Sequence, residues 1–163
     1  METIAQLLSN NEDYAAGFEH GHLEARPRLK LAVLTCMDAR IDPARILGLR
    51  PGGAHVIRNA GGVLTDDVIR SLAISQHELG TEEILVIQHT ECGLLKLSDE
   101  EFGRRLEATT GERPPWPARG FPDLEASVRG AVEQLRAERL LPHTDRIGGM
   151  VYDVHTGRLR EVE

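Results

Sequence analysis

The sequence is poor in the features that mark several common classes of protein. It has only two cysteines in 163 residues, which excludes a small domain built on a network of disulfides. No apolar run approaches the ~20 residues that a membrane-spanning helix needs, and the first residues lack the basic and apolar regions of a signal peptide. We therefore expect a cytoplasmic protein with reduced thiols and no membrane contact.

Positive charge and aromatic residues are also scarce. The chain has 19 Lys and Arg against 26 Asp and Glu, a formal net charge of −7, and only 4% aromatic residues. Nucleic-acid-binding surfaces need basic residues to neutralise phosphates, and many add aromatic rings that stack on bases. The composition therefore argues against a nucleic-acid partner.

The two cysteines lie in two short polar segments, and each segment directly follows an apolar run. Cys36-Met37-Asp38-Ala39-Arg40 follows Leu31–Leu34, and His89-Thr90-Glu91-Cys92 follows Ile84–Ile87. Short runs of branched apolar residues between polar segments are typical of strands buried on both faces of a parallel sheet. Ligands of such sheets bind at the carboxyl ends of the strands, so both segments are expected at one edge.

Cys36, His89 and Cys92 are the ligand types of a catalytic zinc site, which uses three protein ligands and leaves a fourth position open. Three alternatives remain. The cysteines could form a disulfide, or they could be small buried apolar residues. Asp38 could also act as a fourth zinc ligand and close a purely structural site.

Strand and helix signals alternate along the chain, which predicts one α/β domain over residues 1–163. We expect a mostly parallel central sheet flanked by helices, with a C-terminal extended strand. The predicted strands cover 30–35, 54–58, 83–89 and 149–154, and the predicted helices cover 3–9, a short segment from Asp42-Pro43, a segment from Thr65 to Gly80, and 123–138. The proline-rich segment 109–122 is predicted to be irregular, as a surface excursion or subunit contact rather than a lid, with no chemical role assigned.

The pattern C-x-D-x-R, followed about fifty residues later by H-x-x-C, resembles the signature of the β-class carbonic anhydrases. Arg58-Asn59-Ala60-Gly61-Gly62 is similar to the R-N-A-G segment of the family, and Asp66–Leu72 resembles the helix after it. The similarity covers about residues 29–95 and looks most like the short prokaryotic branch. Glu91 stands where many members have aspartate.

The resemblance implies reversible hydration of carbon dioxide to bicarbonate and a proton, with one Zn²⁺ per chain. Cys36, His89 and Cys92 would bind the metal, and zinc-bound hydroxide would attack the substrate. Asp38 and Arg40 are the candidate catalytic residues. Asp38 would accept a hydrogen bond from the hydroxide, and Arg40 would keep Asp38 ionised and oriented. If that pair breaks, Asp38 could bind zinc itself, a closed form that the resemblance associates with lower pH.

The resemblance also implies a homodimer or a dimer of dimers, in which an N-terminal arm, residues 1–26, packs on the partner subunit. Two other functions stay open. Carbonyl sulfide or carbon disulfide could be hydrolysed on the same scaffold, or the chain could be a non-enzymatic, zinc-stabilised or bicarbonate-sensing module.

The remaining polar candidates have weaker support. Arg58 could contact an anion, although a structural salt bridge is the preferred interpretation. His77, His143 and His155 could act as proton shuttles, although no feature of the sequence supports such a role. His20 and His22 could bind a metal, but solvated loop histidines are the preferred interpretation, and His55 could approach the site.

Overall fold

The computed structural model describes residues 2–163, and a five-stranded sheet forms its centre. The strands are β1 (Leu31–Cys36), β2 (Ala54–Asn59), β3 (Glu83–His89), β4 (Ile147–Tyr152) and β5 (Leu159–Glu161). The helices are α1 (Glu2–Ala16), α2 (Pro43–Leu47), α3 (Asp66–His77), α4 (Asp99–Thr110) and α5 (Leu124–Arg136), with a short 3₁₀ turn at Ala60–Gly62.

The strand order is β2-β1-β3-β4-β5. The first four strands are parallel to their neighbours, and β5 runs antiparallel to β4. This confirms the single α/β domain with a mostly parallel sheet and a C-terminal extended strand. Because β1 and β3 are adjacent and parallel, Cys36 and His89 both lie at the carboxyl edge of the sheet.

Apolar side chains cover both faces of the sheet. On one face Ala32 and Leu34 join a core with α3 and α5, where Leu72 is fully buried. On the other face Val33 packs in a second core that also contains Cys36 and Cys92. Removing a side chain such as Leu72 would cost about 2–5 kcal/mol. The candidate site thus rests on a closely packed part of the fold.

Local capping fixes where the helices of this core begin. The side chains of Asp42, Thr65 and Asp123 accept hydrogen bonds from the first backbone N–H groups of α2, α3 and α5. Such caps satisfy donors that a helix cannot satisfy internally. They agree with the predicted helix starts to within one residue.

One predicted helix ended too early, and one helix was missed. The N-terminal helix does not end at Asn10–Asp13 but continues to Ala16, and Gln6 donates to Asn10 along its exposed surface. Helix α4 was not predicted, and it includes the first two residues of the 109–122 segment. Its signal was present in the sequence: Ser98 accepts a hydrogen bond from the N–H of Glu101, and acidic residues fill the first turn.

The other boundaries agree closely with the predictions. Strand β3 has the predicted bounds, while β4 begins and ends two residues earlier because a turn starts at Asp153. Helix α3 ends at His77, shortly before Gly80, which has a positive φ of 71°. Among residues 2–163, no helix has both the length and the apolar character needed to cross a membrane.

Candidate metal centre

Three side chains with metal-binding atoms converge at the carboxyl edge of the sheet. Cys36 ends β1, His89 ends β3, and Cys92 lies in the turn that follows. One ligand atom from each residue can be chosen so that all three lie within 4.8 Å of one another, and all three residues are buried. The predicted convergence is confirmed, and the group could hold a metal ion.

The imidazole of His89 is oriented for a metal. Its Nδ1 lies 2.8 Å from the carbonyl oxygen of Thr90, so Nδ1–H donates there and Nε2 keeps its lone pair. This Nε2 is buried and has no hydrogen-bond partner within the described part of the chain. A buried polar atom without a partner is costly, and a metal ion would satisfy it. His89 is therefore suited to bind a metal through Nε2.

Both cysteines are free thiols, so the disulfide alternative was wrong. A hydrogen bond from the Cys92 thiol is the main cause that lowers the pKa of Cys36 to about 4, against the effect of burial. The neighbouring Cys36 sulfur and burial raise the pKa of Cys92. A divalent cation would let both sulfurs be thiolates at once, because its charge offsets theirs.

A glycine turn brings the backbone close to this group. Gly61 donates its N–H to the sulfur of Cys36 at 3.3 Å. Gly62 has a φ of +59°, and a Cβ there would meet the backbone of Thr35, Cys36 and Ile87 at 3.0–3.1 Å. Glycine is strongly favoured at this position, because the positive φ strains a side chain and the nearest neighbours are backbone atoms.

Asp38 lies beside the three ligand candidates and is held by Arg40. Arg40 donates to Oδ1 from its backbone N–H and from Nε, and to Oδ2 from Nη2 at 2.8 Å. These bonds hold the pKa of the Asp38 carboxyl well below its usual range. Oδ2 also lies 3.8 Å from Nε2 of His89. The carboxylate is therefore ionised, oriented and next to the candidate metal position.

Arg58 forms hydrogen bonds to the backbone in place of the salt bridge that was expected for it. Its guanidinium donates to the backbone carbonyls of Cys36 at 3.0 Å and Asp38 at 2.8 Å. No carboxylate of residues 2–163 forms a salt bridge with it, so the preferred salt-bridge interpretation was wrong. Arg58 fixes the path of the chain between the ligand candidate Cys36 and the carboxylate of Asp38.

Sequence reasoning missed one interaction at the rim of the site. The carboxylate of Glu91 lies 3.3 Å from Nη1 of Arg40 and 3.0 Å from Nε2 of His155. His155 first and Arg40 second hold the pKa of Glu91 below its usual range. Proximity to Cys92 could have pointed to Glu91, but no signal in the sequence connects His155 with it.

The other histidines lie away from this group. His55 contacts Ser75 and the Ala25 carbonyl, and His77 contacts the Leu140 carbonyl. His20 and His22 are exposed in the segment before β1, and His143 is exposed before β4. None of these five belongs to the three-residue group that could bind a metal.

Comparisons with known proteins agree with this geometry. The family model for carbonic anhydrases matches residues 31–116. The chain is 48% identical to Beta-carbonic anhydrase 1 of Mycobacterium tuberculosis over 162 residues, which covers 99% of both chains. It is 37% identical to a carbon disulfide hydrolase of an Acidianus strain over 98% of this chain and 89% of that protein.

A solved structure leads to the same family. The crystal structure of a carbonic anhydrase from Streptococcus mutans superimposes with a TM-score of 0.94 at 41% identity, covering 100% of this chain and 99% of that one. The parallel sheet with a Cys-His-Cys group at its edge thus belongs to a known class of zinc enzymes. The chain is a member of the β-class carbonic anhydrases.

Proposed function

We propose that this chain catalyses the reversible hydration of carbon dioxide to bicarbonate and a proton, with Zn²⁺ held by Cys36, His89 and Cys92. The observation that carries the proposal is the convergence of two sulfurs with the buried Nε2 of His89, which has no hydrogen-bond partner among residues 2–163. When bound, zinc supplies a Lewis acid that makes water nucleophilic near neutral pH. The apolar core around Cys36 and Cys92 suits a small apolar substrate.

In this proposal Asp38 orients the reacting water. Three donors from Arg40 occupy part of its carboxylate, and Oδ2 lies 3.8 Å from the ligand atom of His89. A carboxylate with these fixed contacts can accept a hydrogen bond in one direction only, which favours a productive geometry. Arg40 acts through Asp38, since its guanidinium stays protonated.

If Asp38 bound zinc as a fourth ligand, the site would take a closed form. To bind the metal, its carboxylate would have to give up the fork with Arg40. The fork therefore supports the open form, with Asp38 free to serve the substrate. X-ray absorption across the pH range of activity tests this, because a closed form replaces a water ligand with a carboxylate oxygen.

One observation supports a second substrate class as an alternative: the chain is 37% identical to a carbon disulfide hydrolase. The test is a parallel assay of the purified protein with carbon dioxide, carbonyl sulfide and carbon disulfide. We expect carbon dioxide to be consumed fastest. Faster turnover of either sulfur compound would overturn that assignment, and zinc-loaded protein without any hydration above background would favour a non-enzymatic module.

We further propose that two copies of the chain associate through the N-terminal arm, residues 1–26. No residue of α1 is buried, and its apolar side chains Ile4, Leu7, Leu8 and Tyr14 are at least 60% exposed. Apolar side chains grouped in this way mark interaction surfaces. A homodimer, alone or paired into a tetramer, would cover them.

We also propose that the protein resides in a reducing compartment such as the cytoplasm. Metal binding here needs thiolates, and both cysteines are free thiols close enough to react with each other. Cell fractionation with an antibody against this chain tests the location. Recovery in an oxidising compartment would contradict it.

A further inference from the structure

The turn between β4 and β5 is fastened to the segment that holds the metal ligands. Thr90 donates its N–H to the carbonyl of Tyr152 at 3.0 Å, and its hydroxyl accepts from the N–H of Val154 at 3.1 Å. Asp153 then accepts the N–H groups of His155 and Thr156 at 2.8 and 3.1 Å. The backbone of His155 is therefore held in a turn that is bonded to Thr90, the residue after His89.

The side chain of His155 continues this connection toward the site. Its Nε2 lies 3.0 Å from Oε1 of Glu91, while Oε2 of Glu91 lies 3.3 Å from Nη1 of Arg40. Arg40 also donates to the Glu91 carbonyl at 3.3 Å. Glu91 has a φ of +56°, which non-glycine residues rarely adopt. This backbone conformation places its carbonyl and its carboxylate within reach of Arg40.

We propose that His155 transfers the proton of the hydration reaction between the site and bulk solvent, and that Glu91 positions it. The inference rests on the proposed function. In each hydration turnover water forms a C–O bond with carbon dioxide, a C=O electron pair moves onto oxygen, and one proton is lost. Neutral His155 receives that proton through solvent, Glu91 supplies the opposite charge, and His155 passes the proton to a buffer base.

His155 suits this role better than the other polar groups near the site. Imidazole is the side chain whose ordinary titration falls near neutral pH, and His155 is 69% exposed and so reaches solvent. Arg40 keeps its proton. The other histidines, apart from the ligand His89, lie elsewhere. Glu91 contacts the imidazole of His155, Asp153 accepts the backbone N–H of His155, and Arg40 lies on the far side of Glu91.

The test compares wild type with His155→Ala and with His143→Ala. His143 is a matched control, because it is also exposed but lies before β4, at the opposite end of the sheet. Stopped-flow hydration is measured in dilute buffer and again with added imidazole, together with zinc content and thermal unfolding. Glu91→Gln, which removes the charge and keeps the size, tests the positioning role.

In dilute buffer we expect kcat of His155→Ala to fall about tenfold while kcat/KM and zinc content stay unchanged, because only proton transfer is affected. Added imidazole restores kcat in this variant. Glu91→Gln loses part of kcat with the same buffer dependence, and His143→Ala behaves as wild type.

Unchanged kcat in His155→Ala would overturn the proposal. A loss of kcat and kcat/KM together, without rescue by imidazole, would also overturn it, because that pattern indicates a structural role. Wild type with bound zinc but no hydration would instead contradict the proposed function, and the inference with it.

Discussion

Arg40 holds both carboxylate oxygens of Asp38, with Nε 3.0 Å from Oδ1 and Nη2 2.8 Å from Oδ2. Only one residue separates Asp38 from Arg40, so this short segment can form the pair without contacts from the rest of the fold. The remaining guanidinium nitrogen of Arg40, Nη1, reaches Glu91 in the segment that carries the ligand candidates His89 and Cys92. One guanidinium therefore orients the candidate catalytic carboxylate and joins the two halves of the site.

Replacing Arg40 with glutamine should lower kcat/KM about a hundredfold while zinc content stays equimolar. The pKa of Asp38 is lowered by Arg40, so its loss raises that pKa and moves the acid limb of the activity profile to higher pH. Arg40→Lys should recover only part of the rate, because lysine has no planar fork. Stopped-flow profiles with metal analysis check this, and full activity in Arg40→Gln would contradict it.

Removal of any one of the three candidate metal ligands should have the same effect on zinc binding and activity. Cys36→Ser and His89→Ala each remove one of three converging ligands, and we expect zinc and hydration activity to disappear together in both. Chelation of wild-type zinc should lower the unfolding temperature, since a ligand that binds only the folded state stabilises it. His143→Ala serves as the control that keeps its zinc. An active, zinc-free variant would refute the assignment.

Gly62→Ala and Gly80→Ala form a matched pair that separates backbone strain from crowding at the site. Both glycines have positive φ, +59° and +71°, but only a Cβ at Gly62 would meet neighbouring atoms, the nearest at 3.0 Å. We expect Gly80→Ala to cost about 1–2 kcal/mol of unfolding free energy, and Gly62→Ala at least about 1 kcal/mol more. Equal costs in urea unfolding would show that the close contact at Gly62 is unimportant.

Asp153 should make stability depend on acid pH. The backbone N–H groups of His155 and Thr156 hold its pKa below the usual value, so its stabilisation is complete above the unfolded pKa of about 3.9. It fades as pH falls through the folded-state pKa. Wild type should therefore melt above Asp153→Ala at neutral pH, and the gap should close in strong acid. A gap that stays constant would rule out this origin.

The N-terminal helix offers a test of self-association. Leu7→Glu with Leu8→Glu puts two charges on apolar positions that are 60% and 63% exposed, and we expect sedimentation to show a shift from dimer to monomer. Asn10→Glu with Asn11→Glu adds the same charges to polar positions of the same helix and should leave the dimer intact. A wild-type monomer, or two variants with the same sedimentation, would refute the proposed contact.

The sequence predicted the parts of this fold that depend on local chemistry. The branched apolar runs Leu31–Leu34 and Ile84–Ile87 became adjacent parallel strands, and Thr65 capped α3 as its hydroxyl and the following acids indicated. Where the polar signal was ambiguous the prediction failed. Asn10–Asp13 did not stop α1, because polar residues are tolerated on an exposed helix surface, where Gln6 donates to Asn10.

By itself the sequence determined which residues could bind a metal, because thiolate and imidazole chemistry is a property of residue type, and where the strands that carry them end. Only the tertiary structure decided which distant groups meet. Strand pairing brought Cys36 to His89, and the turn after β4 brought His155 to Glu91. Arg58 found two backbone carbonyls in place of a carboxylate. Such contacts depend on long-range packing, which leaves no periodic pattern in the chain.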